Sequence, residues 1–87
     1  MFVRQDERRK EVRRLIQQVA ALDVGDDRPR VPCMLWDISA GGARLAPQQC
    51  APGELPDKFF LLLAGGSVRR ACQVKWRDER FAGVQFI

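Results

Sequence analysis

Residues 68–77 alternate without a break. Val68, Arg70, Cys72, Val74 and Trp76 share one parity, and Arg69, Ala71, Gln73, Lys75 and Arg77 share the other. A period of two places the first, mostly apolar set on one face of a strand and the cationic set on the opposite face. Immediately upstream, residues 59–64 (FFLLLA) form a second strand-like run, and Gly65-Gly66 between them reads as a two-residue hairpin connection. A hairpin with one apolar face is not stable alone in water, so the remaining chain has to supply further strands.

The rest of the sequence does so. In residues 30–38, Val31, Cys33 and Leu35 alternate with Pro32, Met34 and Trp36. Pro32 cannot donate to a ladder, so this strand is expected to begin at an edge or a bulge. Residues 43–46 read as a short return strand ending at Pro47, and residues 48–57, with Pro52-Gly53 and Pro56, as a surface loop. Arg77-Asp78-Glu79-Arg80 marks a turn, after which Ala82, Val84 and Phe86 line the inner face of a last strand. The first stretch has two readings. Val12, Leu15, Ile16, Val19 and Leu22 fall at helical spacing over residues 6–22, whereas the neighbouring strands call for a strand over residues 15–24 after a loose basic arm; the second reading is adopted. Gly25-Asp26-Asp27 with Pro29 then makes a turn.

Five or six short strands joined by tight turns in 87 residues predict an all-β fold, a small six-stranded antiparallel β-barrel. Closure also disposes of exposed edges. The whole chain is expected to form one domain, with residues 1–14 as a basic arm that the periodicity allows to be partly helical and residues 15–87 as the barrel.

Composition narrows the function. The chain has no His, the usual general base near neutrality, and neither a GxSxG motif nor a carboxylate pair stands out, so an enzyme is not expected. Cys33, Cys50 and Cys72 lack CxxC pairing and read as structural rather than as metal ligands. No cofactor is expected. No run approaches the roughly 20 apolar residues of a membrane span and the N-terminus is charged, which predicts a cytoplasmic protein without a membrane partner. Of the fifteen cations behind the net charge of +4, twelve are Arg. Arg presents a planar fork matched to phosphate oxygens and to the O6/N7 edge of guanine.

The stretch WDISAGG holds the densest polar chemistry. On a strand, Asp37 and Ser39 point to one face, and Gly41-Gly42 are expected to take positive φ, turn the chain and expose backbone amides. The plain alternative is a hairpin whose Asp37 and Ser39 bond only the local backbone. Upstream, Arg9 and Arg13 form an RxxxR spacing; Arg4 and Arg8 repeat it, and Arg9 and Arg13 are the pair nearer the barrel.

RxxxR followed by Asp37-x-Ser39-x-x-Gly42 resembles the paired signature of the PilZ domain, the bacterial receptor module for cyclic di-GMP. The closing stretch VKWRDERFAGVQF looks like the last hairpin of small PilZ proteins. The resemblance implies a six-stranded barrel with the Arg-rich segment across one end and cyclic di-GMP as ligand. Arg9 and Arg13 would supply forks to phosphate or guanine, Asp37 would accept from guanine N–H groups, Ser39 would donate or accept, and Gly42 would permit the close turn. Arg8, Arg14, Gly41 and Arg44 are secondary candidates.

The resemblance further implies a signalling adaptor whose output passes to an unknown effector protein. Phe60 and Leu62, outward on an otherwise apolar strand, suggest a contact with that effector or with a second copy, unless the N-terminal segment or the long loop covers them. A PilZ-like interaction module without nucleotide is the alternative. A nucleic-acid-binding barrel using Arg69, Lys75, Arg77 and the arm is disfavoured by the interspersed acids and the lack of aromatics along a basic stripe. Trp36 and Trp76 read as core or rim packing, with stacking on guanine as the sharper option.

Overall fold

Alternation decides the architecture, because every strand buries one parity of its side chains. The computed structural model describes residues 14–25 and 27–87. Six strands, β1 (Arg14–Asp23), β2 (Val31–Ile38), β3 (Gly42–Pro47), β4 (Lys58–Leu63), β5 (Val68–Arg77) and β6 (Ala82–Phe86), close into an antiparallel barrel in the order β1-β2-β3-β6-β5-β4. Leu22, Cys33, Leu35, Leu45, Leu61, Cys72 and Ala82 converge in its interior, each at most 1% exposed. Leu55, just past a single 3₁₀ turn at Pro52–Glu54, is buried with them. Burying a Leu side chain contributes about 1.5–3 kcal/mol, so this file of residues supplies much of the driving force.

The first strand settles the two readings of the N-terminal stretch in favour of strand. Ala20 and Leu22 face inward, while Val19, which a helix would have placed with Leu22 on one apolar stripe, is 73% exposed. Pairing to β2 across Val19↔Met34, Ala20↔Cys33 and Leu22↔Val31 outweighs the helical periodicity. Pro32, the second residue of β2, lies opposite Ala21, and its carbonyl accepts from the Gln48 N–H at 2.9 Å. Residues 1–13 of the basic arm, with Arg8, Arg9 and Arg13, lie outside the described residues, as does Asp26, while Arg14, read with the arm, is the first residue of β1.

Three expectations need correction. The β4–β5 connection is not a two-residue hairpin: Leu63 pairs with Val68, and the intervening residues 64–67 turn with positive φ at Ala64, Gly65 and Gly66. Leu62 is not exposed. It is 3% accessible, lying between Ala21 of β1 and Arg69 of β5, so the suggested Phe60/Leu62 surface loses one of its two members. Phe60 is 39% exposed, with the Arg69 guanidinium 4.3 Å from its ring centre. Third, Trp76 does not continue the inward parity of Cys72 and Val74, because the strand shifts register between Val74 and Trp76.

That shift has counterparts. Between Leu35↔Leu45 and Asp37↔Arg44, Trp36 is an extra residue without a partner on β3. Between Val74↔Val84 and Trp76↔Gly83, Lys75 is the extra residue. On β1, residues 16 and 17 stand opposite Trp36 alone, and Gln17 takes φ 54°. Each bulge reverses the parity of the strand beyond it. Asp37 and Trp76 are thereby carried to the barrel exterior.

Candidate functional site

The two re-aimed residues are ends of one row. Register runs Asp37↔Arg44↔Gly83↔Trp76 across β2, β3, β6 and β5. Three strand spacings of about 4.8 Å separate its ends, roughly 14 Å. Around the row opens a cavity of about 610 Å³, with Gly41, Gly42, Lys75 and Gln85 among its walls.

Asp37 is a carboxylate at 5% side-chain exposure, and Arg44 meets it with Nε 2.9 Å from Oδ2. The Arg44 guanidinium also lies 4.8 Å from the ring centre of Phe81, which in turn packs edge-on against Trp36 at 5.6 Å. Phe81 is held there by the β5–β6 turn, where the Asp78 carboxylate accepts the backbone N–H groups of Phe81 and Arg80 at 2.7 and 2.8 Å. Those two bonds hold the Asp78 carboxyl below its usual pKa. Arg80, carried on the same turn, caps Trp36 and Phe81 with its guanidinium 5.3 and 5.1 Å from their ring centres. Arg44 is thus oriented from two sides, by a carboxylate and by an aromatic face.

The Ser39–Gly42 turn closes against this row. The Ser39 N–H donates to the Gly42 carbonyl at 2.8 Å, and its hydroxyl reaches the same oxygen at 3.4 Å. Ser39 is buried at 8% exposure, whereas Gly41 and Gly42 line the cavity. The Gly41 carbonyl accepts from the Phe86 N–H at 2.8 Å, fastening the turn to β6. Positive φ among the described glycines falls at Gly25, Gly65 and Gly66, not at Gly41 or Gly42 as expected. The requirement at Gly42 is space: a Cβ there would collide with the Val84 carbonyl oxygen. Glycine lets β3 approach β6 closely at the mouth of the cavity.

Of the residues singled out in the sequence, Asp37, Gly41, Gly42 and Arg44 surround one cavity and Ser39 anchors its turn. Arg14 opens β1 opposite Ile38, with Leu15 opposite Asp37, so the described chain begins beside this turn. The sequence assigns no site role to Gly83 or Gln85, offers Lys75 only in the disfavoured nucleic-acid reading, and presents Trp76 first as packing. An isolated Gly in the Ala82, Val84, Phe86 alternation was the available signal, since it marks a close approach to the strand. The bulges carry no comparable mark.

Among the described residues no helix is long and apolar enough to cross a membrane. No curated protein matches the sequence. A family model, the PilZ domain, matches residues 7–87, nearly the full length, and the chain belongs to the PilZ domain family, whose members are cyclic di-GMP-binding and adaptor modules rather than enzymes.

Proposed function

We propose that this chain is a cyclic di-GMP-binding signalling adaptor, with the dinucleotide clamped between Arg9 and Arg13 of the N-terminal segment and the barrel exterior at Asp37, Ser39, Gly41, Gly42 and Arg44. The observation that carries the reading is the start of β1. Arg14 pairs with Ile38 and Leu15 with Asp37, so the chain joins the barrel at the rim where the polar turn sits. Residues 9–13 directly precede this point in the sequence, so an arm acting on the turn would have to start from this rim.

The chemistry of the ligand fits these groups. Two phosphates call for guanidinium forks, and guanine N–H groups call for an acceptor such as Asp37. Arg44 and Lys75 leave the cavity walls cationic even after Asp37 is counted. Closure of the segment over the ligand would change the surface beside β2 and β3, and an effector protein would read that change.

Calorimetric titration with cyclic di-GMP tests the reading. Wild type is expected to saturate at micromolar ligand or better. A charged hydrogen bond contributes about 1.5–3 kcal/mol, so Arg9→Ala or Arg13→Ala should weaken binding by roughly one to two decades. Ser39→Ala and Asp37→Ala should weaken it as well. Absence of heat with wild type rejects the proposal.

A further inference from the structure

Across β1, β4 and β5 the register runs Asp23↔Phe60↔Ala71, and on the far side of Ala71 the Ile87 N–H donates to its carbonyl at 2.9 Å. The small Ala71 side chain therefore floors a groove flanked by Phe60 and Ile87. Phe60 keeps its exposure, and Ile87 takes the part expected of Leu62. The groove encloses about 290 Å³ and presents carbon almost throughout. That volume is at the lower end of small-molecule pockets, and on an open sheet exterior it suits the side chains of a docked segment.

The free charge beside the groove has one sign. Lys58, on its wall, is exposed and makes no ion pair among the described residues. Arg69 lies over Phe60. Asp23, the acid among the described lining residues, is already engaged: its carboxylate accepts the Gly25 N–H at 3.0 Å and meets Arg69 at 3.2 Å. These charges select the occupant. A second copy in a two-fold contact would bring the same Lys58 and Arg69 against themselves, on a chain already at +4. The N-terminal segment is no better matched, since residues 4–13 hold five cations against three acids and lead into β1 at the end away from Asp23.

We infer that this groove holds the effector protein, taking an apolar side chain of an acidic segment between Phe60 and Ile87, an assignment that deepens the adaptor reading above and rests on its partner contact. The apolar side chain is the anchor, and carboxylates beside it meet Lys58 and the outer edge of Arg69. The groove is on the β1-β4-β5 face, away from the Asp37–Arg44–Gly83–Trp76 row, so docking needs no dinucleotide. The effector stays held at one surface while the ligand alters another, beside β2 and β3.

Selection from a displayed random-peptide library against the full chain, followed by fluorescence anisotropy of the selected peptides, tests the assignment. These peptides should combine an aromatic or aliphatic residue with neighbouring Asp or Glu, and should shift the amides of residues 23–25, 58–60 and 71–72 in ¹H–¹⁵N NMR spectra. Phe60→Ser should weaken them by about tenfold or more, as loss of an anchor does. Ala71→Leu, which fills the floor, should do the same. Lys58→Glu, at an exposed position that spares the fold, should weaken them several-fold at low salt and less at high salt. Selected peptides that are basic, or that bind all three variants as they bind wild type, overturn the groove. So does a selection that enriches nothing, or sedimentation showing a dimer that Phe60→Ser abolishes, which makes a second copy the occupant. Calorimetry with cyclic di-GMP keeps the two readings apart, since the three variants should give the wild-type heat. Wild type that gives this heat but binds no acidic peptide overturns the groove alone. Wild type that gives no heat but binds the peptides at Phe60 overturns the dinucleotide part of the adaptor reading and leaves the groove standing.

Discussion

The two sides of the barrel are built differently. On one side, β4 pairs with β5 through six consecutive residue pairs from Lys58↔Gln73 to Leu63↔Val68, and β1 meets β4 without a shift. There Leu62 is covered, and Arg69 forms a surface pair with Asp23, Nη1 to Oδ2 3.2 Å. On the other side, register slips around Leu15–Gln18, Leu35–Asp37 and Val74–Trp76, and all three slips border the Asp37–Arg44–Gly83–Trp76 row. A regular ladder keeps apolar parity inward and gives stability. A bulge gives up a ladder position and redirects a side chain, so polar and aromatic groups reach the exterior without opening the core.

Substitutions separate the two sides by the size and kind of their effects. Leu61→Ala on the regular side removes a fully buried side chain and should cost about 2–5 kcal/mol in denaturant unfolding, with little direct effect on ligand contacts. Gly42→Ala on the bulged side should cost about 2–3 kcal/mol, because the new methyl meets the Val84 carbonyl and backbone must move. Gly53→Ala, where nothing stands within 4 Å of the added methyl, is the control and should lie between neutral and about 1 kcal/mol stabilising. An equal loss at Gly42 and Gly53 would remove the steric account of the turn.

The two ion pairs sharpen the contrast. Arg44→Ala withdraws a guanidinium from a carboxylate that is 5% exposed and should cost about 1–2 kcal/mol, reduced from the fully buried case because Arg44 is itself 34% exposed. Arg69→Ala breaks a pair at 46% and 28% exposure and should cost less than about 1 kcal/mol, vanishing in high salt. Thermal unfolding at two salt concentrations distinguishes them. The smallest effect concerns reactivity. Burial pushes the Cys33 thiol up to about 12 and the Cys72 thiol up to about 11, so both stay protonated at pH 8. Cys50, half-buried at the surface, should take iodoacetamide first in the native protein, and mass spectrometry reads the order.

What was legible in the sequence follows the same division. The regular parts were: Cys33 and Leu35, Phe59 and Leu61, Ala82 and Val84 are buried as their alternation requires. The polar motif was legible as chemistry, and it brought Asp37, Gly42 and Arg44 to one place. Its geometry was not, because Gly42 is needed for close strand approach rather than for a positive φ. Trp76 and Leu62 were misplaced for complementary reasons. A bulge turns the first outward, the second is buried between its ladder partners Ala21 and Arg69, and neither has a local residue pattern.

The central claim is that the N-terminal arginines and the bulged face engage one ligand together. A ¹H–¹⁵N NMR titration of wild type with cyclic di-GMP addresses it directly. Amides of residues 9–13 and of residues 37–44 should shift along one saturation curve, while those of the regular β4–β5 ladder stay in place. Shifts confined to the β4–β5 side, or no shift in either group at saturating ligand, would contradict the account.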